Sequence, residues 1–139
     1  MESLKIDLIN GENEGLCKLY HDNGQLESEI NYKEAKPHGT VRFYFDNGIL
    51  KSEANYKMGI LHGILKCYYR NGQLEQVSRY KDGLKNGIVR SYHKNGELKQ
   101  EVNHISNSKD RLVKSYDENG NLESKVNYRN GKIQKHWIK

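Results

Sequence analysis

Residues 63–83 read GILKCYYRNGQLEQVSRYKDG, and the same pattern recurs along the chain at a spacing of 24 residues. All five copies carry a first tyrosine, an Asn-Gly pair and a leucine, and four of them carry a leading glycine and a second tyrosine. Arg111 replaces the leading glycine of the fifth copy, and His104 replaces the second tyrosine of the fourth. The Asn-Gly pairs are Asn23-Gly24, Asn47-Gly48, Asn71-Gly72, Asn95-Gly96 and Asn119-Gly120. A period of this length is typical of supersecondary units that stack and contact mainly their neighbours.

A second turn signal follows three of the five Asn-Gly pairs by 11 residues, at Met58-Gly59, Asp82-Gly83 and Asn130-Gly131. Glycine preceded by Asn or Asp supplies the positive φ angles that tight hairpin turns need. The segments between turns have the length of strands and lack helical i, i+3, i+4 spacing of apolar residues. The sequence therefore predicts an all-β fold, an antiparallel β-meander solenoid of five 24-residue β-hairpin repeats with half-repeats at its ends.

The repeats fill the chain, so we expect a single repeat domain over residues 1–139. The predicted repeats are residues 15–38, 39–62, 63–86, 87–110 and 111–134, and the end half-repeats are 1–14 and 135–139. Two junctions depart from the pattern, at residues 34–38 and 104–111. The second loses its tyrosine, its turn glycine and the next leading glycine together, so we expect the least regular hairpin there.

Strand register can be predicted from the turns. A two-residue turn at the second Asn-Gly pair would set Arg42 opposite Glu53 and Tyr44 opposite Lys51. Opposite charges across a strand pair stabilise a hairpin by a few tenths of a kcal/mol. The alternative is a three-residue turn with a glycine bulge, which would shift the pairing by one residue.

The last strand carries a tryptophan, Trp137, at the repeat position that Val113 holds in the copy before it. A large aromatic side chain there would cover a face that a sixth repeat would otherwise cover. The alternative interpretation is an ordinary surface aromatic residue.

Composition favours a soluble, reduced protein. The formal charge is +5, and basic and acidic residues are interleaved along the chain without a run of either sign. Cys17 and Cys67 lie two repeats apart, about 19 Å if each hairpin adds two strand spacings, which is too far for a disulfide. No signal peptide or apolar span is visible in the chain as given, so we expect a cytoplasmic location.

No constellation of residues predicts catalysis, a metal or a cofactor. The six histidines are scattered, and those that share a repeat position stand about 10 Å or more apart. Cys67, Ser91 and Ser115 occupy a repeat position that also holds Leu19 and Phe43, which indicates packing rather than a nucleophile. We therefore expect a protein that is not an enzyme.

A recurring surface pattern is the better functional candidate. A basic residue follows each leading position by three, and a tyrosine follows two residues later on the same strand face. The predicted interaction face comprises Lys18, Tyr20, Arg42, Tyr44, Lys66, Tyr68, Arg90, Tyr92, Lys114 and Tyr116. Tyr and Arg are enriched where proteins bind proteins, although the same residues could simply cover the sheet.

The pattern Y-x-x-N-G-x-L-x-x-x-x-x-Y-K-x-G, present here from Tyr68 to Gly83, resembles the MORN-variant repeat, the bacterial form of the membrane occupation and recognition nexus repeat. Arrays of it are similar to the YwqK-type antitoxin family. The resemblance covers residues 15–134, and it implies a β-hairpin solenoid that acts by binding.

Three classes of partner follow from these observations. The first is another protein, including a toxin that an antitoxin or immunity protein would neutralise by direct binding. The alternatives are nucleic acid, against which the interleaved acidic residues argue, and an anionic membrane surface, for which +5 is a weak charge. Open terminal strands are compatible with either a monomer or an edge-to-edge dimer.

Overall fold

The computed structural model describes residues 3–7, 14–104 and 110–138, and every regular element in these residues is a β-strand. The strands are β1 (Ser3–Asp7), β2 (Gly15–Tyr20), β3 (Leu26–Lys33), β4 (Lys36–Tyr44), β5 (Leu50–Lys57), β6 (Ile60–Tyr68), β7 (Leu74–Lys81), β8 (Leu84–Lys85), β9 (Gly87–Tyr92), β10 (Leu98–His104), β11 (Arg111–Tyr116), β12 (Leu122–Arg129) and β13 (Lys132–Ile138).

All strands belong to one antiparallel sheet in which each strand pairs with its sequence neighbours, from β1 at one edge to β13 at the other. One strand is divided: β8 pairs with the end of β7, and β9 pairs with the rest of it after a break at Asn86. The Asn86 amide still donates to the Arg79 carbonyl oxygen at 2.9 Å, so the break is local. The predicted β-hairpin meander is confirmed.

The Asn-Gly hairpins close with three-residue loops. In the second copy Phe45 N donates to Ile49 O at 2.8 Å, and Gly48 N donates to Phe45 O at 3.0 Å. Gly48 has a φ of 87°, the left-handed conformation that follows a tight turn in such loops. The predicted two-residue turn is therefore wrong, and Tyr44 pairs with Leu50 instead of Lys51.

A β-bulge one step further along each hairpin cancels that shift. Beyond Tyr44 the next pair is Phe43 with Ser52, which leaves Lys51 as an extra residue on β5. Arg42 then lies opposite Glu53 as predicted. The same bulge occurs in all five hairpins, and its extra residues are Glu27, Lys51, Glu75, Lys99 and Glu123. We call these five residues the bulge row.

The turns between repeats have a different geometry. Met58 and Gly59 both have positive φ, 48° and 84°, and the flanking residues Lys57 and Ile60 pair. Two consecutive left-handed residues form the tight turn that matches the twist of a hairpin. The junction at residues 34–38, expected to be irregular, forms the same turn, with φ of 50° at Glu34 and 65° at Ala35. That expectation was wrong because the hairpin pairing overrides the missing glycine.

The other junction that we expected to be irregular falls largely on residues 105–109, outside the described residues. On either side of it β10 and β11 pair in the normal way, with His104 opposite Arg111.

The core lies on one face of the sheet. Val41, Ala54 and Val89 are 4–6% exposed, and Ser28 and Ser78 on the same face are 1% exposed. In the part of the chain that the structure describes no second layer covers these side chains. We infer that the sheet bends around them, as repeated bulges would cause it to do. We call this side the core face.

The opposite side, the charged face, carries the row of Arg42 and Glu53. Trp137 belongs to it, because one extra residue in β13 sets Trp137 opposite Lys125. Trp137 is 46% exposed and lines a 510 Å³ cavity with Leu112 and Leu122. The prediction that it continues the row of Val113 was wrong, since a bulge in β13 moves it to the other face.

Candidate functional site

The structure places the predicted basic residues in one row across the charged face. Strand pairing places Glu29 between Lys18 and Arg42, and it places Glu53 on the other side of Arg42. The following strands continue the row in the same way. The complete row reads Lys18, Glu29, Arg42, Glu53, Lys66, Val77, Arg90, Glu101, Lys114 and Lys125.

Part of this row is neutralised internally. Arg42 Nε lies 2.8 Å from Glu53 Oε2, and Arg90 Nε lies 3.0 Å from Glu101 Oε2. The hydrogen bond with Glu53 raises the pKa of Arg42. Unpaired positive charge of the row is therefore concentrated in the last hairpin, where Lys114 faces Lys125.

The predicted tyrosines lie beside the charge row. Tyr44 Oη donates to Glu29 Oε1 at 2.8 Å, which places this tyrosine on the charged face. Burial, and then this hydrogen bond, raise the pKa of Tyr44. Every tyrosine of the row faces a leucine: Tyr20 and Leu26, Tyr44 and Leu50, Tyr68 and Leu74, Tyr92 and Leu98, Tyr116 and Leu122. The predicted face is thus a half-buried Tyr/Leu band next to a charge row.

The asparagine of each Asn-Gly turn connects neighbouring repeats. Asn71 Oδ1 accepts from Gln73 N at 2.9 Å within its own turn, and Asn71 Nδ2 donates to Lys94 O in the next turn at 3.2 Å. Asn23, Asn47 and Asn95 make the equivalent pair of bonds. Sequence reasoning assigned the turn to these residues but missed the connection. The signal was that asparagine recurs in all five copies.

The side chain that follows the first tyrosine makes a second connection. His21 Nε2 hydrogen-bonds Tyr44 O at 2.9 Å, Tyr69 Oη donates to Tyr92 O at 2.6 Å, and His93 Nε2 hydrogen-bonds Tyr116 O at 3.0 Å. In the fifth copy Asp117 instead accepts from the amides of Asn119 and Asn121 within its own turn. The bond from Asn121 is the main cause that lowers the pKa of Asp117.

The bulge row lines three cavities beside these turns. Glu27 and Lys51 line one of 430 Å³, Glu75 lines one of 420 Å³, and Glu75, Lys99 and Glu123 line one of 470 Å³. Side chains of the core face lie in the same cavities, Phe43 and Ser52 in the first and Ser91 and Ser115 in the last. Tyr44 and Tyr116 line the first and the last of these cavities as well, so the bulge row follows the turn edge of the sheet. Sequence reasoning missed it because a two-residue turn contains no bulge.

The arrangement offers little for catalysis. Cys17 and Cys67 are free thiols, and burial, followed by the nearby Glu75, raises the pKa of Cys67, which disfavours the thiolate. Within the described ranges no three His, Cys, Asp or Glu side chains are grouped as metal ligands. Residues 3–7, 14–104 and 110–138 also contain no helix with the length and apolar character needed to cross a membrane.

Comparison with known proteins supports the assignment of the repeat and identifies no binding partner. A search of curated proteins finds no match to this chain. The MORN repeat variant matches five times, at residues 13–34, 37–58, 61–82, 85–105 and 112–130, and these matches span most of the sequence. The chain therefore belongs to the MORN repeat variant family.

Proposed function

We propose that this protein is a non-catalytic module that binds another protein along its sheet. The observation that carries the proposal is that successive Asn-Gly turns are joined by two hydrogen bonds. One is donated by the turn asparagine, and the other is made by the side chain that follows the first tyrosine. Turns fixed in this way hold the side-chain rows at a constant spacing. A surface that is already ordered loses little entropy when it binds.

The charged face supports a protein partner better than a polyanion. Arg42 and Arg90 are already paired with carboxylates, so a phosphate ligand would have to compete with Glu53 and Glu101. The half-buried Tyr/Leu band beside them offers the mixture of aromatic and polar contacts that protein interfaces use. Nucleic acid and anionic membranes remain the alternative, and they would use Lys114 and Lys125, where the positive charge is unbalanced.

The finer form of the proposal is an antitoxin that covers the active site of a toxin. It draws support from the extended rigid surface and from the resemblance of the repeat array to antitoxins. A protein of this kind would restore growth when it is co-expressed with its cognate toxin. The toxin's own activity would be inhibited at equimolar antitoxin.

The test is capture of a partner from the native cell with tagged protein, compared with the variant Lys66→Glu/Lys114→Glu on the charged face. The matched control is Lys81→Glu/Lys85→Glu, which makes the same charge change at exposed residues near the opposite ends of the strands. We expect the first variant, and not the control, to lose the partner. Nucleic acid binding that falls steeply with salt, or sedimentation with anionic liposomes, would contradict the proposal if no protein is captured.

A further inference from the structure

The bulge row alternates in charge along the whole array. Its members are Glu27, Lys51, Glu75, Lys99 and Glu123, so the sign changes at every repeat. Each occupies the same structural position, the extra residue next to the leucine of its hairpin. Equivalent positions make the row a set of charges at equal intervals.

Four of the five charges are available to a ligand. Lys51, Glu75, Lys99 and Glu123 are exposed, and among the described residues none of the four forms an ion pair. Lys51 Nζ lies 5.7 Å from the centre of the Phe45 ring. The charges line cavities, so a bound chain would meet them on a partly enclosed surface.

The interval between the charges matches one extended polypeptide conformation. Each repeat adds two strand spacings, about 9.6 Å along the array. A polyproline II helix rises about 3.1 Å per residue with three residues per turn, so every third side chain returns to the same side after about 9.3 Å. A β-strand rises by a similar amount, but its residues i and i+3 point to opposite sides.

We propose that the bulge row binds a polyproline II segment of another protein whose charged residues alternate in sign at every third position. The inference rests on the proposed function and specifies the chemistry of the partner. A cation lies against Glu75, an anion against Lys99 and a cation against Glu123, which requires a basic-x-x-acidic-x-x-basic core. Phe45 and Tyr69 line the adjoining cavity, and aromatic side chains are what grooves for such helices provide.

The first test is binding of three fluorescent peptides at low salt, measured by anisotropy. Peptide one has the core Lys-Pro-Pro-Glu-Pro-Pro-Lys. Peptide two carries the same charges separated by three prolines, and peptide three has Lys in place of the central Glu. We expect peptide one to bind roughly tenfold more tightly than either, because misplaced or reversed charges each weaken binding.

The second test asks whether reversing one charge of the bulge row reverses the protein's preference between peptides one and three. Lys99→Glu makes three consecutive members of the bulge row acidic, so it should weaken peptide one and strengthen peptide three, each by roughly tenfold. Lys81→Glu is the matched control, since it makes the same change at an exposed residue near the opposite ends of the strands, outside both the bulge row and the charge row. Thermal unfolding of both variants checks that the fold is retained.

Equal binding of all three peptides, or no exchange of preference in Lys99→Glu, would overturn the inference. If the protein captures a partner through the charged face but binds none of the peptides, the bulge row has no such role and the proposed function stands. If peptide one binds as expected but no cellular partner is found, the proposed binding site on the bulge row is supported and the proposed function is contradicted.

Discussion

The two ends of the strands hold neighbouring repeats together by different means. At the Asn-Gly end, side chains make the connection, as when Asn71 Nδ2 donates to Lys94 O. At the other end the recurring connection is made by the backbone: Gly59 N donates to Pro37 O at 2.7 Å, and Gly83 N donates to Leu61 O at 3.0 Å. Single side chains add a bond at two of these turns, where His38 Nδ1 accepts from Met58 N and Asp110 Oδ1 accepts from Asn130 N. A side-chain bond depends on residue identity and a backbone bond does not. Asparagine therefore recurs in every copy at one end, whereas the other accepts Glu, Met, Asp and Asn.

The largest effect should come from Asn71→Ala. It removes the bond within the turn and the bond to the next repeat, and we expect a loss of about 1–2 kcal/mol in the free energy of unfolding. Urea denaturation measures it. The matched variant at the other end is Met58→Ala, which should change stability by less than about 0.5 kcal/mol. The bonds that connect this turn to the preceding repeat, from Gly59 N to Pro37 O and from Met58 N to His38 Nδ1, use backbone amides of the turn and not the Met58 side chain. Equal losses at both ends would remove the distinction.

Tyr69→Phe should have the next largest effect. It deletes the hydroxyl that donates to Tyr92 O at 2.6 Å and keeps the ring, so we expect a loss of about 1 kcal/mol. Phe45 occupies the equivalent position in the second copy and lacks a hydroxyl, so Tyr69→Phe reproduces in the third copy what the second copy already has. A double-mutant cycle with Asn71→Ala would show whether the two connections act independently.

At the other end Ala35→Gly should stabilise the protein by roughly 0.5–1 kcal/mol. Ala35 has a φ of 65°, a conformation that costs an L-residue more than glycine loses in chain entropy. Thermal or urea unfolding measures the gain. Ala54→Gly, in a buried strand position, is the control and should destabilise the protein. Destabilisation by Ala35→Gly would mean that this turn is not the one described.

The smallest effect is local and depends on pH. Hydrogen bonds from the amides of Asn121 and Asn119 lower the pKa of Asp117, so this contribution to stability is present above the ordinary aspartate value and is lost as the pH falls below about 4. Amide exchange of Asn121 should then accelerate relative to its intrinsic rate. The Glu97 amide, bonded to the non-titrating Asn95, should show no such change.

The sequence predicted the strands, the meander and the pairing of Arg42 with Glu53 because turn residues and periodicity are local signals. It could not decide between the two-residue turn and the three-residue turn. The added turn residue and the bulge residue shift the register in opposite directions. Arg42 therefore faces Glu53 whether the turn has two residues or has three residues followed by a bulge. In β13 a single extra residue shifts the register and no second shift restores it. Trp137 therefore lies on the other face from the one that the sequence predicted.

The candidate site was predictable only in part. The proximity of the predicted basic residues and tyrosines follows from strand alternation, and the bond between Tyr44 and Glu29 agrees with it. Whether that face binds a partner stays a prediction. The bulge row could have been found as a position where Glu and Lys alternate from copy to copy, although its placement in a cavity depends on the bend of the sheet.

Both kinds of connection span about one repeat and reach no farther. If a whole 24-residue unit were duplicated or deleted, the same hydrogen bonds would form again at the new junction between repeats, provided that the asparagine and the turn glycine are kept. Evolution can lengthen such an array in steps of about 10 Å without redesigning its interior. The number of copies then becomes a measure of how long a surface the protein must span.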